Sequence, residues 1–248
     1  MTTTVTSERR RAEWREWHAA RESLAASEHG TASLTGTHWL DESPVEIDGL
    51  PGSWRVVDGL VVGAQADVSL SPSQEVVLDG KLLRAIVNAG DIALRVFDPA
   101  APGRTTFAGI DVFDLRDEWI VTGRFTEAAP ESTIAIDHVG GRRSDDALAG
   151  TVTAQILGHE VELVAFPREG GELQVTFADT SNGDTTQQFR FLNLPRPDVD
   201  GAVTIDLNRA YLPPCAFSDH YLCPIPPAAN RLPFAVHAGE RSVQRSGS

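Results

Sequence analysis

Two Asp-Gly steps, each set between runs of β-branched and large apolar residues, constrain this chain more than any other feature. Asp58-Gly59 lies between Trp54-Arg-Val-Val57 and Leu60-Val-Val62, and Asp79-Gly80 between Val76-Val-Leu78 and Leu82-Leu83. The tightest hairpin turns need positive φ at their central residues, which aspartate and glycine tolerate far better than β-branched residues do. Further strand-like runs follow at Ile92–Phe97, Glu118–Thr126, Ser132–Asp137 and Thr151–Leu157, then at Val161–Phe166 after a turn at Gly158-His159. Glu172–Phe177 and Thr186–Leu192 flank Asn182-Gly183, and Val203–Leu207 and Leu232–His237 close the series. Runs that recur about every 8–12 residues with turn chemistry between them predict an all-β fold, mainly antiparallel, built as a sandwich or barrel. The polar, glycine-flanked stretch 140–149 reads as an exposed loop or as a boundary between two β lobes.

Ahead of the strands, Ser7 to about Glu28 predicts an α-helix. Trp14, Trp17 and Leu24 share one face, Ser7 is the candidate N-cap, and His29-Gly30 the stop. An aromatic stripe at this spacing marks a packed face. The expected organisation is a packed helix over 1–30, a single β domain over 31–240, and a frayed tail from 241 to 248.

The formal net charge is −14, from 35 acidic against 21 basic residues. An acidic chain repels phosphate backbones and anionic lipid surfaces, so nucleic acid and membrane are not expected partners. The N-terminus is polar, without the apolar stretch of a secretory signal, and no run nears the roughly 20 apolar residues of a spanning helix. The expected location is therefore the cytoplasm. Lys81 is the single lysine, so nearly every cation is an arginine, which pairs bidentately with carboxylates and phosphates. Cys215 and Cys223 read as thiols in a reducing compartment.

The densest motif lies near the C-terminus. Residues 206–230 carry Pro213, Pro214, Pro224, Pro226 and Pro227 together with Asp206, Asn208, Tyr211, Cys215, His220, Cys223 and Asn230. Prolines exclude a central strand or a helix and stiffen the backbone. Rigid loops bearing polar groups on a β scaffold are where sites are built.

In this region the chain resembles the family catalogued as domain of unknown function 1684. The resemblance rests on Phe177-Ala-Asp-Thr-Ser-Asn-Gly183 with Arg190-Phe-Leu192, and on Asp206-Leu-Asn-Arg-Ala-Tyr211, Pro213-Pro-Cys-Ala-Phe217 and Cys223-Pro-Ile-Pro-Pro227. It continues through Asn230-Arg-Leu-Pro233 and Ala238-Gly-Glu240. A looser likeness runs through the Trp14/Trp17 helix, Gly36-Thr-His-Trp-Leu40 and Trp119–Phe125. Leu212 stands where a polar residue is expected and Phe189 where a tyrosine is usual. The resemblance implies an ordered C-terminal site and brings no established activity with it.

Three chemistries fit these residues. Cys215 or Cys223 is a candidate thiol nucleophile, with His220, His159 or His237 as base. Cys215, His220 and Cys223, with Asp219, form a candidate metal set, although the spacing is not a recognised zinc pattern. Arg95, Arg124 and Arg190 each interrupt an apolar strand; turned inward they need an anionic ligand or a partner such as Asp137, Asp179 or Asp206. No phosphate-binding glycine loop, nucleophile elbow or His-Glu-x-x-His motif is present.

The leading expectation is a small-molecule pocket closed by the 206–230 loop and floored by arginine-bearing strands, leaning toward non-redox enzyme chemistry. Cys215, Asp206 and Tyr211 are its candidate catalytic residues; Arg190, Arg124, Arg95, Asn208, Asn230 and Cys223 its ligand contacts. Cofactor, substrate and self-association stay open. The competing expectations are a non-catalytic binding or docking module, a metal site, and a proline-stiffened clasp.

Overall fold

A computed structural model describes the backbone of residues 2–247 and the side chains from residue 8 onward. It is mostly antiparallel β structure with an N-terminal α-helix, and the chain divides into two compact units. The N-terminal unit comprises Ala20–Phe107, Phe217–Tyr221 and Arg245–Ser248; the C-terminal unit comprises Met1–Ala19, Ala108–Ala216 and Leu222–Gln244.

In the N-terminal unit, β1 (Leu34–Leu40), β2 (Val45–Glu46), β3 (Ser53–Val57), β4 (Leu60–Gly63), β5 (Val68–Leu70), β6 (Glu75–Leu78), β7 (Lys81–Asn88) and β8 (Asp91–Phe97) make two sheets. Their orders are β1-β8-β7-β6 and β2-β3-β4-β5. Asp58 and Gly59 turn β3 into β4 with φ of 50° and 78°, and Asp79 and Gly80 turn β6 into β7 with 49° and 79°. Both central residues of each turn are left-handed, the conformation that matches the twist of the flanking strands. Trp54, Val61, Leu70, Leu83 and Leu94 fill the core. Trp54 pairs in register with Gly63, and a Cβ built on Gly63 would meet the indole at 2.7 Å. The ring lies across the space that a side chain at 63 would take. Lys81 Nζ donates to the Gly49 carbonyl at 3.1 Å and pairs with Asp98 at 3.3 Å, tying β7 to two neighbouring loops.

In the C-terminal unit, β9 (Phe107–Val112), β10 (Ile120–Glu127), β11 (Thr133–Asp137), β12 (Arg143–Ala147), β13 (Gly150–Ile156), β14 (His159–Pro167), β15 (Leu173–Phe177), β16 (Arg190–Leu194), β17 (Ala202–Asp206) and β18 (Glu240–Arg245) follow. Six of them form one sheet, β16-β15-β14-β13-β10-β17, whose two edge strands also approach each other. Alternate residues point inward as strand geometry demands: Val152, Ala154 and Ile156, then Val161, Leu163 and Ala165, with Val175, Leu192 and Ile205 opposite. Strands β11 and β12 form a separate hairpin, and β9 pairs with β18.

The α-helix spans Thr2–Ala26, so Ser7 lies inside it rather than at its cap. Trp14 and Trp17 are half-buried, but Leu24 is 58% exposed. Ala25 is buried instead, because positions 14, 18, 21 and 25 hold the face at helical spacing.

Four strand-level expectations change. The stretch 140–149 contains β12, whose residues 143–147 pair with Ala147↔Thr133 through Arg143↔Asp137. The turn before β14 is Leu157-Gly158, one residue earlier than read. Residues 186–189 and 232–237 form no strand. Glu240–Arg245, within the expected tail, is β18.

Replacing Gly63 with valine is expected to destabilise the protein by ~1–3 kcal/mol, the usual cost of overpacking, because a fully buried indole has nowhere to move. Chemical denaturation followed by tryptophan fluorescence measures it.

Candidate functional site

The signature residues of the C-terminal unit converge on one buried guanidinium. Arg190 opens β16 and is 0% exposed. Its Nη2 donates to Asp179 Oδ2 at 2.6 Å and to the Val236 carbonyl at 2.9 Å; its Nη1 donates to the carbonyls of Ala238 at 2.5 Å and Glu240 at 3.3 Å. The guanidinium also lies 5.2 Å from the centre of the Phe177 ring. Burial pulls this group below its ordinary value, and Asp179, then Glu240, oppose that pull. Asp179 Oδ1 in turn accepts from the Ser181 amide and hydroxyl and from the Val236 amide. The signature turn and the chain at 236–240 are thus organised around one charge pair.

The remaining polar residues are committed in the same way. Asn230 is buried and bridges two strands, donating to the carbonyls of Val164 and Thr176 and accepting from the Val164 amide at 2.7 Å. Asn208 exchanges two bonds with the backbone of Arg116, and its carbonyl accepts from Trp14 Nε1 at 2.8 Å. Asp206 caps the short turn at Leu207–Arg209 by accepting from the Asn208 amide at 3.1 Å. Tyr211 donates to Asn193 at 3.0 Å and accepts from Gln174 at 2.8 Å. Buried Glu240 accepts from the Leu212 amide at 2.7 Å.

The three strand arginines occupy three environments. Arg190 is buried, Arg124 is exposed on β10, and Arg95 lies over the Tyr221 ring in the N-terminal unit. They do not floor one pocket, because the parity of each strand decides its direction separately. Cys215 and Cys223 are thiols. The Cys215 amide donates to Cys223 Sγ at 3.3 Å. His159 stacks on Phe234, and His237 lies tilted against Phe113. His220 belongs to the N-terminal unit, where its carbonyl accepts from Thr37 Oγ1 at 2.8 Å. Among the described residues, no group of three or more His, Cys, Asp or Glu side chains is placed to hold a metal ion.

A concave site does involve the proline-rich segment. Within the N-terminal unit, Phe217–His220 form one wall of a cleft of about 510 Å³, with Leu34, Pro102, Gly103 and Arg245 around it. Ser218 Oγ donates to the Leu34 carbonyl at 2.8 Å and fixes that wall. Arg245 donates to the carbonyls of Gly103 at 2.8 Å and Phe217 at 3.0 Å and to Thr106 Oγ1 at 3.4 Å. All of these acceptors are neutral. A second concavity, about 640 Å³, lies at one end of the six-stranded sheet. There Arg168 and Arg196 stand among Glu127, Glu131, Glu172 and Asp198.

Residues 105–241 match the family described as "Protein of unknown function (DUF1684)". The chain belongs to this family. A similar solved structure is the solution NMR structure of the uncharacterized protein from gene locus rrnAC0354 of Haloarcula marismortui. It is 33% identical, with 55% of this chain and 77% of that chain covered, at a TM-score of 0.46. No curated protein matches the chain.

For this DUF1684 protein, sequence reading missed Thr186, Glu240 and Arg245. Glu240 is signalled by its place in Ala238-Gly-Glu240; nothing local to Arg245 marks it. His38 belongs to the Gly36-Thr-His-Trp-Leu40 stretch. It sits on β1, where burial and then the nearby charge of His220 hold its imidazole below the ordinary value. The folded state therefore takes up this proton less readily than the unfolded chain. Its contribution to stability is complete above about pH 6.5, the unperturbed imidazole value, and is lost as pH falls through the lower folded value.

Two outcomes are expected. Arg190→Met leaves Asp179 buried and uncompensated and lowers unfolding stability by ~3–5 kcal/mol in urea titrations, with partial recovery on adding Asp179→Leu. His38→Gln flattens the decline in melting temperature between about pH 7 and pH 5 relative to the parent protein.

Proposed function

We propose that this protein binds a small, partly apolar carboxylic acid in the cleft walled by Phe217–His220, and that it acts as a binding protein. The single observation behind this reading is Arg245. It is half-buried on the wall of that cleft, in a chain with 35 acidic residues, yet its hydrogen bonds go to neutral oxygens alone. A guanidinium carries five donors in a fixed fork that suits a carboxylate. Phe217, Leu34 and Pro102 supply apolar surface for the rest of the ligand, and the cleft volume lies within the usual range for small-molecule sites of about 300–1,000 Å³.

Binding is favoured over catalysis by the state of the catalytic candidates. Of these, Asp206 and Tyr211 already hold backbone or side-chain partners within the C-terminal unit, as do the expected ligand contacts Asn208, Arg190 and Asn230. A reacting group needs capacity left over for substrate. The larger concavity at the end of the sheet is a weaker choice, because carboxylates outnumber its two arginines.

Titration calorimetry and amide chemical-shift mapping with butyrate, octanoate and 3-phenylpropionate, each beside its primary amide, test the reading. At least one acid is expected to bind roughly tenfold or more tightly than its amide, the difference a charge-assisted hydrogen bond makes, with shifts at Gly103, Phe217 and His220. Equal binding of acid and amide, or shifts confined to other residues, overturns it.

A further inference from the structure

We infer that Cys215 and Cys223 are an oxidisable dithiol that closes to an intramolecular disulfide. The two residues are eight positions apart, and the Cys215 amide donates to Cys223 Sγ at 3.3 Å. With an N–Cα bond of about 1.46 Å, that sulfur lies no more than about 4.8 Å from the Cys215 Cα. This is within reach of a side-chain sulfur, and disulfides form between residues whose Cα atoms lie about 4.4–6.8 Å apart. The Cys223 sulfur thus already lies against the Cys215 backbone.

The surroundings hold both partners in place. Pro213 and Pro214 precede Cys215 and Pro224 follows Cys223, fixing φ on either side. The Cys223 carbonyl accepts from Val139 at 2.9 Å, and Ile225 donates to the Asp137 carbonyl at 2.8 Å. The chain at 223–225 is thereby pinned along the end of the β11–β12 hairpin.

Exposure assigns the roles. Cys215 is half-buried and Cys223 is 3% exposed. A two-electron oxidant such as hydrogen peroxide meets Cys215 first. The Cys215 sulfur attacks one peroxide oxygen and the O–O bond breaks. A sulfenic acid forms, and the departing hydroxide takes the thiol proton and leaves as water. The Cys223 sulfur then displaces hydroxide from the Cys215 sulfur: the S–O bond breaks, the S–S bond forms, and a second water carries away the Cys223 proton. Two electrons pass from the dithiol to the peroxide.

The test is intact-protein mass spectrometry with thiol counting in denaturant, before and after exposure of the full chain to hydrogen peroxide. The oxidised monomer is expected to lose the mass of two hydrogens, to fall from two titratable thiols to none, and to recover both with dithiothreitol. A digest should yield one peptide pair joined through Cys215 and Cys223. In Cys215→Ser, Cys223 is expected to survive the same exposure as a thiol. Growth of a Cys215 sulfinic acid with Cys223 still titratable, or disulfide-linked dimers in place of the loss of two hydrogens, overturns the inference.

Discussion

The contact between Arg190 and Asp179 decides how the C-terminal unit is ordered. A charge placed wholly inside a protein is tolerated when a counter-charge and a set of hydrogen bonds offset its lost hydration, a set that at Arg190 serves both Nη atoms and leaves Nε without a partner. Here the set is drawn from chain segments far apart in sequence: the turn at 179–183, the start of β16, and the carbonyls of 236, 238 and 240. The turn at 179–183 and the chain at 236–239 are irregular, and each acquires a defined position by supplying oxygens to the same centre. A lysine could not substitute, because one ammonium cannot reach four oxygens arranged around a plane.

From that centre the same logic spreads outward. Glu240 fixes the backbone at Leu212, Asn230 joins β14 to β15, and Asn208 ties Arg116 to the base of the helix. Asp206, Asn208 and Asn230 hydrogen-bond the backbone of an irregular region. Irregular backbone cannot satisfy its own amides through a ladder, so side chains must do so. The cleft draws its wall Phe217–His220 from the matched segment, while its arginine lies four positions beyond that segment.

The parts of the fold that were legible in the sequence are those set by local chemistry. Asp58-Gly59 and Asp79-Gly80 announce their turns because positive φ is needed there and few residues supply it. Asn182-Gly183 does lie between the antiparallel partners β15 and β16, but in a compact loop rather than a tight turn, because the Asn182 side chain bonds the Asp179 amide and the Gln187 carbonyl. Arg143–Asp146 is polar throughout, and the stretch becomes a strand only by pairing with β11. The apolar run 232–237 looks like a strand, yet its backbone serves Ala178, Thr180 and Arg190. Arg124 and Arg190 sit in equally apolar contexts; only register, a non-local property, sends one outward and the other in. The candidate site was least visible for the same reason, since Arg245 and Phe217 meet across a wide gap in sequence.

The lone lysine has a practical consequence. Lys81 is the one ε-amine in the chain, and it is engaged by Gly49 and Asp98. Amine-directed reagents therefore have a single side-chain target, and acylating it would remove the charge that joins β7 to its two loops. Dyes, cross-linkers or surface attachment are better introduced through the carboxylates, which are plentiful, than through an amine already employed as a fastening.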